Sequence, residues 1–250
     1  MHDMHESQIL ILKDVQIRLQ NRPLFSALNL TIHPGEVVTV MGPSGCGKST
    51  LLNYICGTLP PAFQAEGSVR LGGRELVDLP VEQRRVGILF QDPLLFPHLT
   101  VAENLAFGLQ KGHSRQTRRF RVESALLDAG LEGLGGRDPA TLSAGQRTRA
   151  ALMRALLAEP AALLLDEPFS NLDTELRTRV RTFVFEHARQ RRLPILLVTH
   201  DPADAAHAGG PIIGLDQSTP INAVNPMATG ADPENPESDP RSVPNARYHP

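Results

Sequence analysis

The 250-residue sequence has no uninterrupted apolar run that approaches the roughly 18 residues of a membrane-spanning helix. Any task at a membrane must then be shared with another chain. The opening residues, Met1-His2-Asp3-Met4-His5-Glu6-Ser7, lack both a basic n-region and an apolar core, so no secretion signal is expected. There are only 2 cysteines, Cys46 and Cys56, too close together for a disulfide framework. Both are expected as reduced thiols of a cytosolic protein. Charge of one sign is also missing. A formal net charge of -2 argues against a nucleic-acid binder that works by bulk charge. No internal repeat is visible. The length suits one large domain, or a core with a subdomain, and a hydrophobic content of 41% can fill it.

What the sequence does contain is Gly42-Pro43-Ser44-Gly45-Cys46-Gly47-Lys48-Ser49-Thr50, which fits G-x-x-x-x-G-K-[ST], the phosphate-binding loop of nucleotide hydrolases. The apolar run Val37 to Met41 leads in as a buried strand, and Ser49 to Ile55 leads out as a helix. Glycines let such a loop curl with its N–H groups inward, and the helix N-terminus adds partial positive charge. Lys48 is expected to reach the β- and γ-phosphates, and the Ser49 hydroxyl to ligate Mg²⁺. The rival reading is a plain glycine-rich turn before a helix.

Along the chain, residues 8 to 40 read as short strands: Ile9–Leu12, Val15–Leu19 and Leu28–Ile32, with a turn at Asn21-Arg22-Pro23. Gly67–Leu71 and Gly72–Leu76 read as a hairpin, and Val86–Phe90 as a strand. Residues 94 to 160 change texture and form a helical block. Thr100 and Glu103 make a capping box, a basic helix runs from Arg115 to a stop at Gly130, and a third helix spans Ser143 to Leu157. The arginines of the basic helix read as a solvated face, with contact to anionic lipid or nucleic acid as the lesser alternative. Ala161–Leu165 and Ile195–Val198 are continuous apolar runs joined by an amphipathic helix over Thr174–Arg191, the pattern of a parallel sheet covered on both faces. A short helix (Pro202–Ala208) and a strand (Pro211–Leu215) follow. From 216 to 250 prolines accumulate among few apolar residues, and a disordered tail is expected.

Two further constellations carry chemistry. Asp166 and Glu167 end a buried strand, where ligands sit in open α/β sheets. Asp166 is expected to hold Mg²⁺ through water, and Glu167 to orient and polarise an attacking water. Leu142-Ser143-Ala144-Gly145-Gln146 opens a helix. Ser143 and Gln146 fit a capping box, so pure capping is one reading. The other is an anion site, in which helix N–H groups, a hydroxyl and a close-approach glycine grip a γ-phosphate. Lying about a hundred residues past the phosphate loop, it is expected to serve nucleotide on a second copy.

Taken together, these residues resemble the ATP-binding cassette (ABC) ATPases, over about residues 8 to 214. The signature Leu142 to Gln146 is the specific mark, because the phosphate loop alone is shared by many families. Gln91 resembles the Q-loop glutamine, Ser170-Asn171-Leu172-Asp173 the D-loop, and His200 the switch histidine. The resemblance implies an α/β fold: a P-loop NTPase (RecA-like) core with a mainly parallel sheet, an N-terminal antiparallel β subdomain and an inserted helical subdomain. It implies ATP and Mg²⁺ as cofactors, with catalytic roles for Lys48, Gln91, Glu167 and His200, and with Gln91 joining Ser49 and Asp166 at the metal. Two copies would close head to tail, each ATP held by residues 42 to 50 of one copy and by Ser143, Gly145 and Gln146 of the other, with Asp173 at the same junction. Two departures stand out: Ala144 where glycine is common, and Leu19 where the family usually places an aromatic against adenine.

Gly42–Thr50, Phe90–Pro97 and Leu99–Asn104 look like stand-alone importer ATPases, those for thiamine, ferric iron, molybdate, sulfate or polyamines. The expectation is therefore a homodimer at the cytoplasmic face of the plasma membrane, with separate membrane permease subunits, a solute-binding protein and no nucleic acid. Pro93-Leu94-Leu95-Phe96 forms part of the permease groove or packs on the helical block. The rivals are a lipoprotein- or lipid-type ABC system, a soluble ABC ATPase acting on ribosomes or DNA, and a P-loop kinase. The soluble class usually carries paired cassettes, a coiled-coil insert or zinc modules, none of which is seen here. The kinase leaves Ser143–Gln146 and His200 unexplained.

Overall fold

Alternating apolar residues near the start of the chain build an antiparallel sheet. The computed structural model describes residues 8–215 and the backbone of Ile221–Asn222. Strands β1 (Leu10–Leu19), β2 (Arg22–Pro23) and β3 (Leu28–Ile32) come first. The two strands expected over residues 9–19 are one strand interrupted by a bulge. Register shifts between Lys13 and Gln16, Asp14 adopts φ 51°, and its N–H donates to Asn29 Oδ1 at 2.9 Å. The polar pair Lys13-Asp14 is absorbed without flipping the apolar face.

The chain then leaves for a second sheet through β4 (Val37–Met41), and α1 (Lys48–Cys56) follows. It returns as β5 (Phe63–Leu71) and β6 (Arg74–Glu75). Strand β5 begins four residues before the expected hairpin. Its extra residues Phe63–Glu66 pair with Leu19–Gln16. Their weak apolar pattern hid a strand that exists because β1 offers an edge.

Next come β7 (Val86–Leu89) and the helical block: α2 (Val101–Gly108), α3 (Arg115–Asp128) and α4 (Ala144–Leu157). The capping boxes foreseen at Thr100/Glu103 and Ser143/Gln146 are both formed. Then β8 (Ala162–Asp166), α5 (Thr174–Gln190), β9 (Ile195–Thr199), α6 (Pro202–Ala208) and β10 (Ile212–Gly214) complete the core. The proline-rich tail lies outside the described residues except for β11 (Ile221–Asn222), which pairs parallel to β3. At those two residues the expected disorder gives way to pairing with an open strand edge.

The second sheet has the order β10-β4-β9-β8-β7 and is parallel throughout. Its period-2 alternation splits the core in two. Val38, Val40, Leu164, Leu196 and Val198 face α1 and the antiparallel sheet. Val37, Leu163, Leu165, Ile195 and Leu197 face α4 and α5. Helix α1 thus lies between the two sheets, with Leu51, Leu52 and Ile55 fully buried. Register brings Met41 beside Thr199, Asp166 beside Val198 and Leu89 beside Leu165. The loops that follow these strands therefore share one edge of the sheet, where such folds bind ligands.

Candidate active site

The phosphate loop spans the gap between β4 and α1. Gly47, with φ 102°, is the N-cap of α1. No side chain caps this helix and its first turn holds no acidic residue, so its N-terminal N–H groups and dipole are left for an anion. The positive φ favours glycine here, and a Cβ at Gly47 would also sit tightly, 3.1 Å from Leu24 Cβ. Pro43, Ser44 and Gly45 are exposed at the lip, Cys46 is buried beneath them, and Thr50 is half-buried. Lys48 is buried. Its ammonium donates to the carbonyls of Gly42 at 2.9 Å and Pro43 at 3.0 Å and lies 4.0 Å from Glu167 Oε1. A phosphate seated in the loop would meet a cation already folded over it.

The two acids at the end of β8 occupy different surroundings. Asp166 Oδ1 accepts from Ser49 Oγ at 3.1 Å. Burial pushes the Asp166 carboxyl up, and the Glu167 charge adds to this, while the Ser49 hydrogen bond and Lys48 oppose it. Glu167 has φ 44°, a left-handed backbone that is uncommon for a non-glycine residue, and its N–H donates to Val198 O at 2.9 Å. Its Oε2 lies 3.0 Å from His200 Nδ1. Glu167 therefore stands between a lysine and a histidine at the mouth of the loop.

Ser49 Oγ and Asp166 Oδ1 are hard oxygen donors side by side, a set that suits Mg²⁺. Among the described residues no three His, Cys, Asp or Glu side chains form a metal cluster, so such an ion would rest on these donors and on the nucleotide. Gln91 is exposed just beyond β7, at the same sheet edge.

Other expected residues lie apart. Ser143 caps α4: its N–H donates to Gln146 Oε1 at 2.9 Å, and Gln146 N–H donates to Ser143 Oγ at 3.3 Å. A Cβ at Gly145 would meet Leu176 Cδ1 at 2.7 Å, so this glycine lets α4 approach α5. Among the described residues, no hydrogen bond or ion pair links 142–146 to the phosphate loop. Asp173 caps α5 through Leu176 N–H at 3.0 Å. Leu19, 36% exposed, ends β1 opposite Phe63. The Pro93–Phe96 segment is pinned by Asn104, which bonds both the N–H and the carbonyl of Phe96, and by Arg154, which donates to Leu94 O at 3.0 Å. Leu94 and Phe107 nevertheless stay 53% and 66% exposed.

Sequence reasoning missed a set of residues behind the acids. Arg177 meets Asp201 Oδ2 at 2.5 Å, and Arg181 meets Asp204 Oδ1 at 3.0 Å. Thr199 Oγ1 donates to Asp204 Oδ2 at 3.1 Å and accepts from Asp201 N–H at 3.1 Å. The available signal was two arginines one helical turn apart facing two aspartates three apart.

Residues 25–170 match the family profile described as ABC transporter. The Escherichia coli K12 protein named "Uncharacterized ABC transporter ATP-binding protein YnjD" is 48% identical over 202 residues, covering 79% of this chain and 93% of its own length. The "Fe(3+) ions import ATP-binding protein FbpC" of Brucella abortus (strain 2308) is 44% identical over 191 residues, 76% of this chain and 53% of its own. "FbpC 1" of Rhizobium meliloti (strain 1021) is 45% identical over 187 residues, 74% and 52% respectively. The chain thus spans about half the length of these two iron-import relatives. Among the described residues, no helix is long and apolar enough to cross a membrane. The profile match covers more than half of the chain and the phosphate loop is built as its motif requires, so this chain belongs to the ABC transporter family and is one of its ATP-binding, ATP-hydrolysing components.

Proposed function

We propose that this chain is the ATPase subunit of a bacterial importer, working as a homodimer at the cytoplasmic face of the membrane. Its partners are separate permease subunits and, through them, a solute-binding protein. The observation that carries the catalytic part is Glu167, held between Lys48 and His200 at the end of a buried strand. In this reading Lys48 binds the β- and γ-phosphates, the Glu167 carboxylate takes a hydrogen bond from the attacking water and orients it, and His200 holds Glu167 in place. Ser49 and Asp166, joined by Gln91, would hold Mg²⁺, which supplies neutralisation of phosphate charge.

The signature Ser143–Gln146 makes no contact with its own phosphate loop among the described residues, which favours action on the nucleotide of a second copy. Asp173 would meet that same junction. The exposed Leu94 and Phe107 offer apolar contact to a permease. Ferric iron is the first solute to test, because two relatives described above carry that name.

The test is Glu167→Gln. It should bind ATP, hydrolyse it at least roughly a hundredfold more slowly, and sediment as a dimer only with ATP present. Undiminished hydrolysis removes Glu167 from its role. Membrane partners are tested by affinity capture from detergent-solubilised membranes. Stoichiometric recovery of a polytopic protein is expected, and its absence speaks against the importer.

A further inference from the structure

Phe63 and Leu19 lie side by side at one end of the antiparallel sheet. The two-residue turn Gln20-Asn21, with φ 50° and 62°, folds β1 onto β2 and sets Leu19 opposite Arg22. On the other side of β1, Leu19 pairs with Phe63. Directly opposed residues of antiparallel strands share a face, so Arg22, Leu19 and Phe63 form a row across three strands, with Phe63 as its one aromatic. Ile17, two residues before Leu19 and fully buried, puts that row on the face that covers α1.

Contacts lead from this row to the phosphate loop. Leu24 N–H donates to Ile17 O at 2.9 Å, and Leu24 and Phe25 lie 3.1 and 3.2 Å from where a Cβ of Gly47 would be. A nucleotide whose phosphates rest on the N-terminus of α1 thus meets the row as the exposed apolar surface further along the same sheet. The chain places Phe63 there through a turn after Pro60-Pro61: Phe63 N–H donates to Pro60 O at 3.0 Å, and β5 starts at Phe63 itself. Three aromatic residues belong to this half of the core. Phe25 and Tyr54 are buried, and the Tyr54 hydroxyl donates to Gly67 O at 2.9 Å. Phe63 alone of the three stays partly exposed. Sealing the sheet end is the rival role, and it needs an apolar side chain but no ring.

We propose that the nucleotide base stacks on the Phe63 ring with Leu19 beside it as an apolar shelf, a placement that rests on the nucleotide reading of Gly42–Thr50 above. The π face that Leu19 lacks is then supplied by the neighbouring strand. Every base has a π face, so Phe63 contributes affinity and not a choice between bases.

The test uses the full chain and two probes, ADP and pyrophosphate, which share two linked phosphates and differ in the nucleoside. Phe63→Leu keeps an apolar side chain and removes the ring. It should bind ADP at least roughly fivefold more weakly, while its affinity for pyrophosphate stays within about twofold of wild type. With ATP as substrate, KM should rise by a similar factor and kcat should stay within about twofold. Moving the ring to the adjacent strand, in Leu19→Tyr/Phe63→Leu, should restore ADP binding to within about twofold of wild type. The chain holds no tryptophan, so Phe63→Trp installs a single emission reporter at the contact. ADP should quench that emission and pyrophosphate should not. Equal loss of both probes, loss of neither, or an emission that answers both alike would overturn the stacking role. Should the wild-type chain bind neither ADP nor ATP, the nucleotide reading itself fails; should it bind both and Phe63→Leu bind ADP unchanged, this placement alone fails.

Discussion

Cys56, at the end of α1, is buried, and burial pushes its thiol up from an ordinary value of 9.0 to about 11. The folded chain therefore holds this proton more tightly than the unfolded chain does. The resulting stability is full below about pH 9 and is lost as pH rises through about pH 11. Cys56→Ala should flatten that part of the stability curve, read as the difference in urea midpoint from wild type between about pH 8 and about pH 10.5. Leu19 tests a different property. Replacing it with Tyr should tighten ATP binding about fivefold, worth about 1 kcal/mol of base stacking, by equilibrium titration. No change would mean that the base lies elsewhere. At this scale the candidate positions were legible wherever a short run of residues marks them: Gly42–Thr50 stood out by its own spacing, Asp166-Glu167 by its place at a strand end beside that loop, and Ser143–Gln146 through the family resemblance. Arg177 and Asp201 were not, because an arginine on an amphipathic helix and an aspartate before a proline are both ordinary until the fold sets them 2.5 Å apart.

Among the elements, α1 depends on a residue far from its motif. Arg84 is buried, and among the described residues it has no acidic group within ion-pair distance. Its guanidinium donates to Tyr54 O at 2.8 Å and Ile55 O at 3.0 Å, two carbonyls in the last turn of α1, and to Leu79 O and Val77 O. It caps the helix C-terminus, where a cation favours the dipole, and ties it to the loop after β6. Arg84→Met should cost about 3 kcal/mol, because buried carbonyls lose charged donors. Chemical denaturation measures this, and ATP affinity should weaken as the loop helix loosens. The elements themselves were largely legible, since runs such as Leu163–Leu165 and capping pairs such as Thr100/Glu103 announce themselves locally. The early start of β5 and the bulge in β1 were not, because both arise from pairing between strands roughly fifty residues apart.

For the molecule as a whole, the trans reading makes a sharp demand. In a mixture of Ser143→Ala and Lys48→Ala chains, both lesions of a mixed dimer fall on one composite site and leave the other intact. Hydrolysis by the mixture should exceed the average of the two separate variants, measured at equal total protein; a plain average would remove support for the shared site. The same assembly from distant segments has a consequence during biosynthesis. Residues 42–49, 166–167 and 200 meet only because β9 lies between β4 and β8, and β10 covers the other edge of β4. Both neighbours of β4 are translated after residue 194. At ordinary elongation speeds the strand waits on the order of ten seconds outside the ribosome with two open edges. A stalled or truncated nascent chain is thus inert towards ATP and adhesive at the same time, so ribosome-bound chaperones should engage this chain between the emergence of β4 and that of β10.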